Sequence, residues 1–175
     1  MGNLAATYLS LGRYNEAEQL QVKELNARKQ VLAEEHPDTL NSMGNLASTY
    51  SNLGRYNEAE QLEVEVLNAR KRVLGEGHPA TLKSMSNLAS TYCDLGQYDK
   101  AEHLQVELLN ARKLVLGDEH LDTLLSMNDL ASTYSRLGRR DAAKELSHKA
   151  ISIAERTLGD QHPHTQAFHR MLKAM

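Results

Sequence analysis

Apolar residues recur along this chain in two alternating helical rhythms. Between positions 43 and 53, Met43, Leu46, Ala47, Tyr50 and Leu53 fall three or four residues apart, which puts them on one face of an α-helix. Pro37 predicts the start of that helix, at a position where its missing N–H costs nothing, and Asp38 sets negative charge at the positive end. Gly54 predicts the stop, because glycine readily takes the left-handed conformation that ends helices. A second helix is expected from about Tyr56 to Leu74, with Ala59, Leu62, Val66, Ala69 and Val73 as its apolar stripe and Leu67 and Leu74 widening it. Glu58, Glu60, Glu63 and Glu65 in its first half, and Arg70, Lys71 and Arg72 near its end, follow the backbone dipole. They read as a solvated outer face.

This two-helix unit repeats. His36-Pro37, His78-Pro79 and His162-Pro163 are spaced on a step of about 42 residues, and His120-Leu121 fills the vacant place. The same step relates Asn3-Leu4-Ala5 to Asn45-Leu46-Ala47, Asn87-Leu88-Ala89 and Asp129-Leu130-Ala131. Roughly two thirds of positions are identical between the second and third units. A lone hairpin cannot bury its apolar faces, so each unit needs a neighbour. The expected organisation is one array over 1–175. Its repeats cover about 1–35 (truncated, since Met1 aligns with Met43 in mid-helix), 36–77, 78–119 and 120–161, followed by a terminal half-repeat helix at 162–175. Arg140 and the polar Ser147-His148-Lys149 run in the last full unit read as capping, where water wets the outer face.

Composition agrees with an all-α protein. Helix formers dominate, and there is one Phe and no Trp. The net charge of −3 supplies no basic stripe for a nucleic-acid partner. No apolar run approaches the roughly 20 residues that span a bilayer, so no membrane is expected. A single cysteine, Cys93, rules out an internal disulfide framework and favours a reducing, cytoplasmic setting.

The motif Asn45-Leu46-Ala47-x-x-Tyr50-x-x-Leu53-Gly54-x-Tyr56-x-Glu58-Ala59-Glu60-x-Leu62, closing in Val73-Leu74-Gly75, resembles the tetratricopeptide repeat, in the 42-residue form of kinesin light chains. The resemblance covers the whole chain. It implies a right-handed α-α superhelix of about four helical hairpins plus a C-terminal capping helix, with no enzymatic activity and no cofactor. It also implies that the first helix of each hairpin lines a concave groove. The groove-facing positions are then Asn41, Asn45, Ser48 and Asn52 in one unit, and Lys83, Asn87, Ser90 and Asp94 in the next. Leu125, Asp129, Ser132 and Arg136 follow, while the truncated first unit contributes Asn3 and Ser10.

An asparagine amide both donates and accepts, so it can pair with the backbone of an extended peptide without reading its sequence. Helices roughly 10 Å apart would meet a strand rising about 3.3 Å per residue at every third residue. Light-chain repeats use asparagines at this motif position in that way, and Asn3, Asn45 and Asn87 match it. Asp129 breaks the row, and accepts without donating. The alternative use for Asn45 and Asn87 is internal, as polar contacts between adjacent first helices.

Metal binding is not expected. One histidine per repeat (His36, His78, His120, His162) gives a row about 10 Å apart, too wide to share an ion. Helix entry is their expected role. No phosphate loop or nucleophile elbow occurs. The expected partner is a protein or peptide in extended form. Three roles stay open at this stage: a scaffold in its own right; the sensor array of a signalling NTPase or a light-chain-like cargo adaptor; and a structural array that self-associates through its terminal helices.

Overall fold

The computed structural model describes residues 2–175, with side chains from Leu4 onward. Among these residues there are nine α-helices and no strand: α1 Gly2–Ser10, α2 Tyr14–Val31, α3 Pro37–Asn52, α4 Tyr56–Leu74, α5 Pro79–Asp94, α6 Tyr98–Leu116, α7 Leu121–Arg136, α8 Arg140–Leu158 and α9 Pro163–Ala174. Backbone contacts group them into two compact units, α1–α5 in the one ending at Leu95 and α6–α9 in Gly96–Met175. Both are all-α.

The repeat punctuation sets the helix ends. Each first helix from α3 onward is preceded by a histidine whose ring Nδ1 accepts the backbone N–H two residues later. The four bonds are Asp38 to His36, Ala80 to His78, Asp122 to His120 and His164 to His162, at 3.1 to 3.3 Å. Those amides are among the donors a helix start leaves unpaired, so the imidazole does the work of an N-cap. At the other end, Gly54 takes a φ of +73°, which lets the chain turn directly into α4.

In the first unit, the core gathers Leu25 of α2, Leu40, Met43 and Leu46 of α3, and Val66 and Ala69 of α4, with Val22, Tyr50 and Leu62 packed against it. Ala47 and Ala59 are fully buried, letting α3 and α4 approach closely. α2 packs on α3, and α4 on α5, so each second helix is covered by the first helix that follows it. In the second unit, α7 and α8 supply Leu124, Met127, Leu130, Ala150, Ile151 and Ala154, with Leu109 from α6. Phe168 of α9 packs into that core at 2% exposure.

Ion pairs between successive hairpins repeat on the same step. Arg55, at the entry to α4, reaches back to Glu18 of α2 at 2.8 Å while lying over the ring of Tyr50. In the second unit Arg139 makes the equivalent bond to Glu102 at 2.6 Å. Arg72 pairs with Glu35. Such surface pairs add little stability each, but they favour one register between hairpins.

Four sequence readings need correction. Val73, expected in the apolar stripe, is 48% exposed, and its repeat equivalents Val31 and Val115 are exposed too; all three stand in the last turn of their second helix. Glu63 and Arg70, expected on the solvated face, are buried. Their neighbours Glu65 and Arg72 do face solvent, and only the packing of α5 over α4 separates the two sets. Ser147 is also buried, with its hydroxyl 3.8 Å from Met175 Sδ, so it belongs to the contact with α9 and not to the outer face.

Candidate functional site

The face of α3 opposite its core carries Asn41, Asn45, Ser48 and Asn52, and all four are exposed. α5 packs beside α3 and presents Lys83, Ser90 and Asp94 exposed, with Asn87 half-buried. The first unit therefore brings two rows of expected site residues together on adjacent helices. In the second unit α7 presents Asp129, Ser132 and Arg136 exposed and Leu125 half-buried. Ser10 is exposed on α1, where its hydroxyl donates to the carbonyl of Thr7. Asn3 lies outside the residues whose side chains are described.

These polar side chains are engaged to different degrees. Asn52 donates to the carbonyl of Ser48 on its own helix at 2.8 Å. Asn41 accepts from Nη2 of Arg70 at 2.7 Å. The amides of Asn45 and Asn87 make no hydrogen bond to any described residue. Internal bonding between first helices is thus absent at both positions among the described residues, and both amides keep their donors and acceptor unused.

Beneath the rows lie two charged residues that the sequence reading had put on the outside. Arg70, in α4, donates through Nη1 to the carbonyl of Ala80 (3.1 Å) and the hydroxyl of Ser84 (2.8 Å), and through Nη2 to Asn41. One guanidinium thereby joins α4 to the exposed row of α3 and to the first turns of α5. Burial lowers its pKa from the ordinary arginine value. In the second unit Arg112 repeats the first two bonds, to the carbonyl of Asp122 and the hydroxyl of Ser126. Asp129, at the row position of Asn87, is open to solvent at its edge. Enough protein still surrounds its carboxyl to raise its pKa, against the opposing field of Arg112.

Glu63 is the second such residue. It is 6% exposed, receives a hydrogen bond from Thr91 of α5, and has a buried Oε2 with no partner among the described residues. Burial, and then the nearby charge of Asp94, push its pKa up to about 7 in spite of Thr91. The only advance signal was repetition: Gln21 and Gln105 hold the same place in neighbouring hairpins, and a position kept polar within a packed helix marks a buried hydrogen bond.

The arrangement suits recognition. Among the described residues there is no group of three metal-ligating side chains and no helix long and apolar enough to cross a membrane. A cavity of about 410 Å³ in the first unit lies away from the rows, between Lys29, Glu34, Glu35, Glu65, Asn68 and Arg72.

Comparison with known proteins supports this picture of the fold. The family model of the tetratricopeptide repeat matches residues 1–72, 64–113 and 81–156. A protein from Podosopora anserina, named for kinesin light chain and for its nearly identical TPR-like repeats, superposes with a TM-score of 0.91 at 30% identity, over 99% of this chain and 82% of that one. BtubC (BKLC) from P. vanneervenii superposes with a TM-score of 0.85 at 22% identity, over 98% of this chain and 68% of its own. A Rap protein, solved in complex with Competence and Sporulation Factor, shares the fold at a TM-score of 0.71 and 13% identity, over 99% and 51%. No curated protein matches the chain.

Proposed function

The chain belongs to the tetratricopeptide repeat family, whose repeats generally serve as non-catalytic scaffolds for protein interaction, and on that premise we propose that it binds an extended peptide segment along the exposed faces of the first helices α3 and α5. Asn45 and Asn87 are the principal contacts, from α3 and α5. Ser48, Asn52, Lys83 and Ser90 flank them; Asp129, Ser132 and Arg136 hold the same repeat positions on α7 of the second unit.

One observation carries this reading: the Asn45 and Asn87 amides hold no internal hydrogen bond among the described residues. An amide that supports the fold is bonded within it. An amide at a recurring position, with no internal partner among the described residues, suits a strand's alternating N–H and C=O groups. Arg70 supports the arrangement from below by fixing Asn41 and the start of α5.

The test is selection from a random peptide library, repeated with Asn45→Ala and Asn87→Ala combined. Loss of both amides should weaken the recovered peptides about tenfold or more, since each peptide-backbone bond contributes about 0.5–1.5 kcal/mol. Recovery of the same peptides with equal affinity by the double variant removes these amides from the mechanism.

A further inference from the structure

Glu63 departs from the repeat in a way the fold does not require. In the hairpin before it, Gln21 fills the same position and accepts from the Thr49 hydroxyl at 2.6 Å. Glu63 keeps the matching bond from Thr91, but it exchanges an amide for a carboxyl, and that carboxyl's Oε2 is buried without a partner among the described residues. An amide at this place would carry no charge into the interior. A carboxylate there is costly unless something cationic meets it.

The second departure sits close by. Asp94, on the next turn of α5 after Thr91, ends the exposed row and takes the place that Asn52 holds on α3. Asn52 is neutral and bonded to its own helix. Asp94 is exposed, acts on Glu63 electrostatically, and forms no ion pair with any described residue. The α4–α5 contact therefore differs from the α2–α3 contact at two linked positions, both times from amide to acid, and no cation among the described residues answers either change. One acid is buried and the other opens onto the site.

We propose that Glu63 and Asp94 form a subsite for one basic side chain, lysine or arginine, of the segment bound along α3 and α5. The inference rests on the peptide-binding reading above. Asp94 meets the incoming cation at the surface, and Glu63 draws it inward through its free Oε2. A guanidinium, with its fork of donors, can serve two carboxylates at once. A metal ion is the poorer occupant, since no third ligating side chain joins the pair among the described residues. The subsite gives direction to an otherwise sequence-blind row of amides, by fixing one ligand residue against one repeat.

The experiment uses two pooled libraries of ten-residue peptides with uncharged degenerate positions. They are identical except that one fixed position is arginine in the first pool and citrulline, its neutral isostere, in the second. At pH 8 the full chain should retain the arginine pool about tenfold over the citrulline pool, as expected for a charge-assisted bond. Glu63→Gln with Asp94→Asn should erase that preference while still retaining both pools. Each change installs the residue that a neighbouring hairpin already carries, and an unaltered helical circular dichroism spectrum checks the fold. Equal retention of both pools by the unmodified chain, or an undiminished preference in the double variant, overturns the subsite. Equal retention that is lost in the Asn45→Ala and Asn87→Ala variant leaves the groove reading standing without it. Retention of neither pool by the unmodified chain overturns both.

Discussion

Arg70 Nη2 donates to Oδ1 of Asn41 across 2.7 Å, tying the buried interior of α4 to the exposed face of α3. The same guanidinium holds Ser84 and the Ala80 carbonyl on α5. Two first helices are thus positioned by one side chain, and removing it takes a donor from Asn41, Ser84 and the Ala80 carbonyl, of which the carbonyl alone keeps one in the Ser84 hydroxyl. Arg70→Ala should cost about 2–4 kcal/mol in urea unfolding. Arg70→Lys should recover little, because an ammonium cannot reproduce the fork. A loss below about 0.5 kcal/mol in Arg70→Ala would contradict this role.

Arg28 offers the contrast. It occupies the same repeat position, but it pairs with Glu24 at 2.7 Å and is partly exposed. Where Glu24 stands, the next hairpin has Val66. Arg28→Ala should therefore cost less than Arg70→Ala in the same unfolding experiment, within the 0–1 kcal/mol typical of a solvated pair plus its one backbone bond to Asp38.

Glu63 makes stability depend on pH. Its folded pKa, pushed up to about 7, lies above the value of about 4.3 for a free glutamate. The folded state therefore holds a proton that the unfolded chain releases. That contribution to stability is whole below about pH 4.3 and is lost as pH rises through 7. Glu63→Gln should remove this dependence and exceed the unmodified chain by about 1–3 kcal/mol at pH 8, with the gap closing toward pH 5. Parallel pH profiles of urea unfolding for the two proteins would refute the assignment.

The histidine caps give a fourth prediction. Ala80 N–H donates to Nδ1 of His78 at 3.1 Å. His78→Ala should cost about 1 kcal/mol, and His78→Asn should restore most of it, since asparagine is a strong cap in its own right. Equal losses in the two variants, read by thermal unfolding, would show that the ring acts through packing alone.

The helix boundaries were legible because proline, histidine and glycine mark them on a fixed step: α3 and α4 begin and end within a residue of where Pro37, Gly54, Tyr56 and Leu74 place them. The exposed rows were legible for the same reason, as residues three and four apart opposite an apolar stripe. Glu63 and Arg70 were not. On α4, charged residues stand at 58, 60, 63, 65, 70, 71 and 72, and helical periodicity alone does not say how wide the strip covered by the next hairpin is. α5 covers Glu63 and Arg70 and leaves Glu65 and Arg72 in water. Val73 failed in the opposite sense. It lies in phase with the stripe, but on the last turn of α4, where helical phase does not report how far the packing extends.

The most direct measurement is nuclear magnetic resonance of the side-chain amides while a library-selected peptide is titrated into the full chain. The side-chain amide resonances of Asn45 and Asn87 should shift and saturate together with peptide, while those of Asn57, Gln61 and Asn68, exposed on α4, stay in place. Shifts at Asn57, Gln61 or Asn68 with Asn45 and Asn87 unmoved would put the ligand on the second helices and contradict the account.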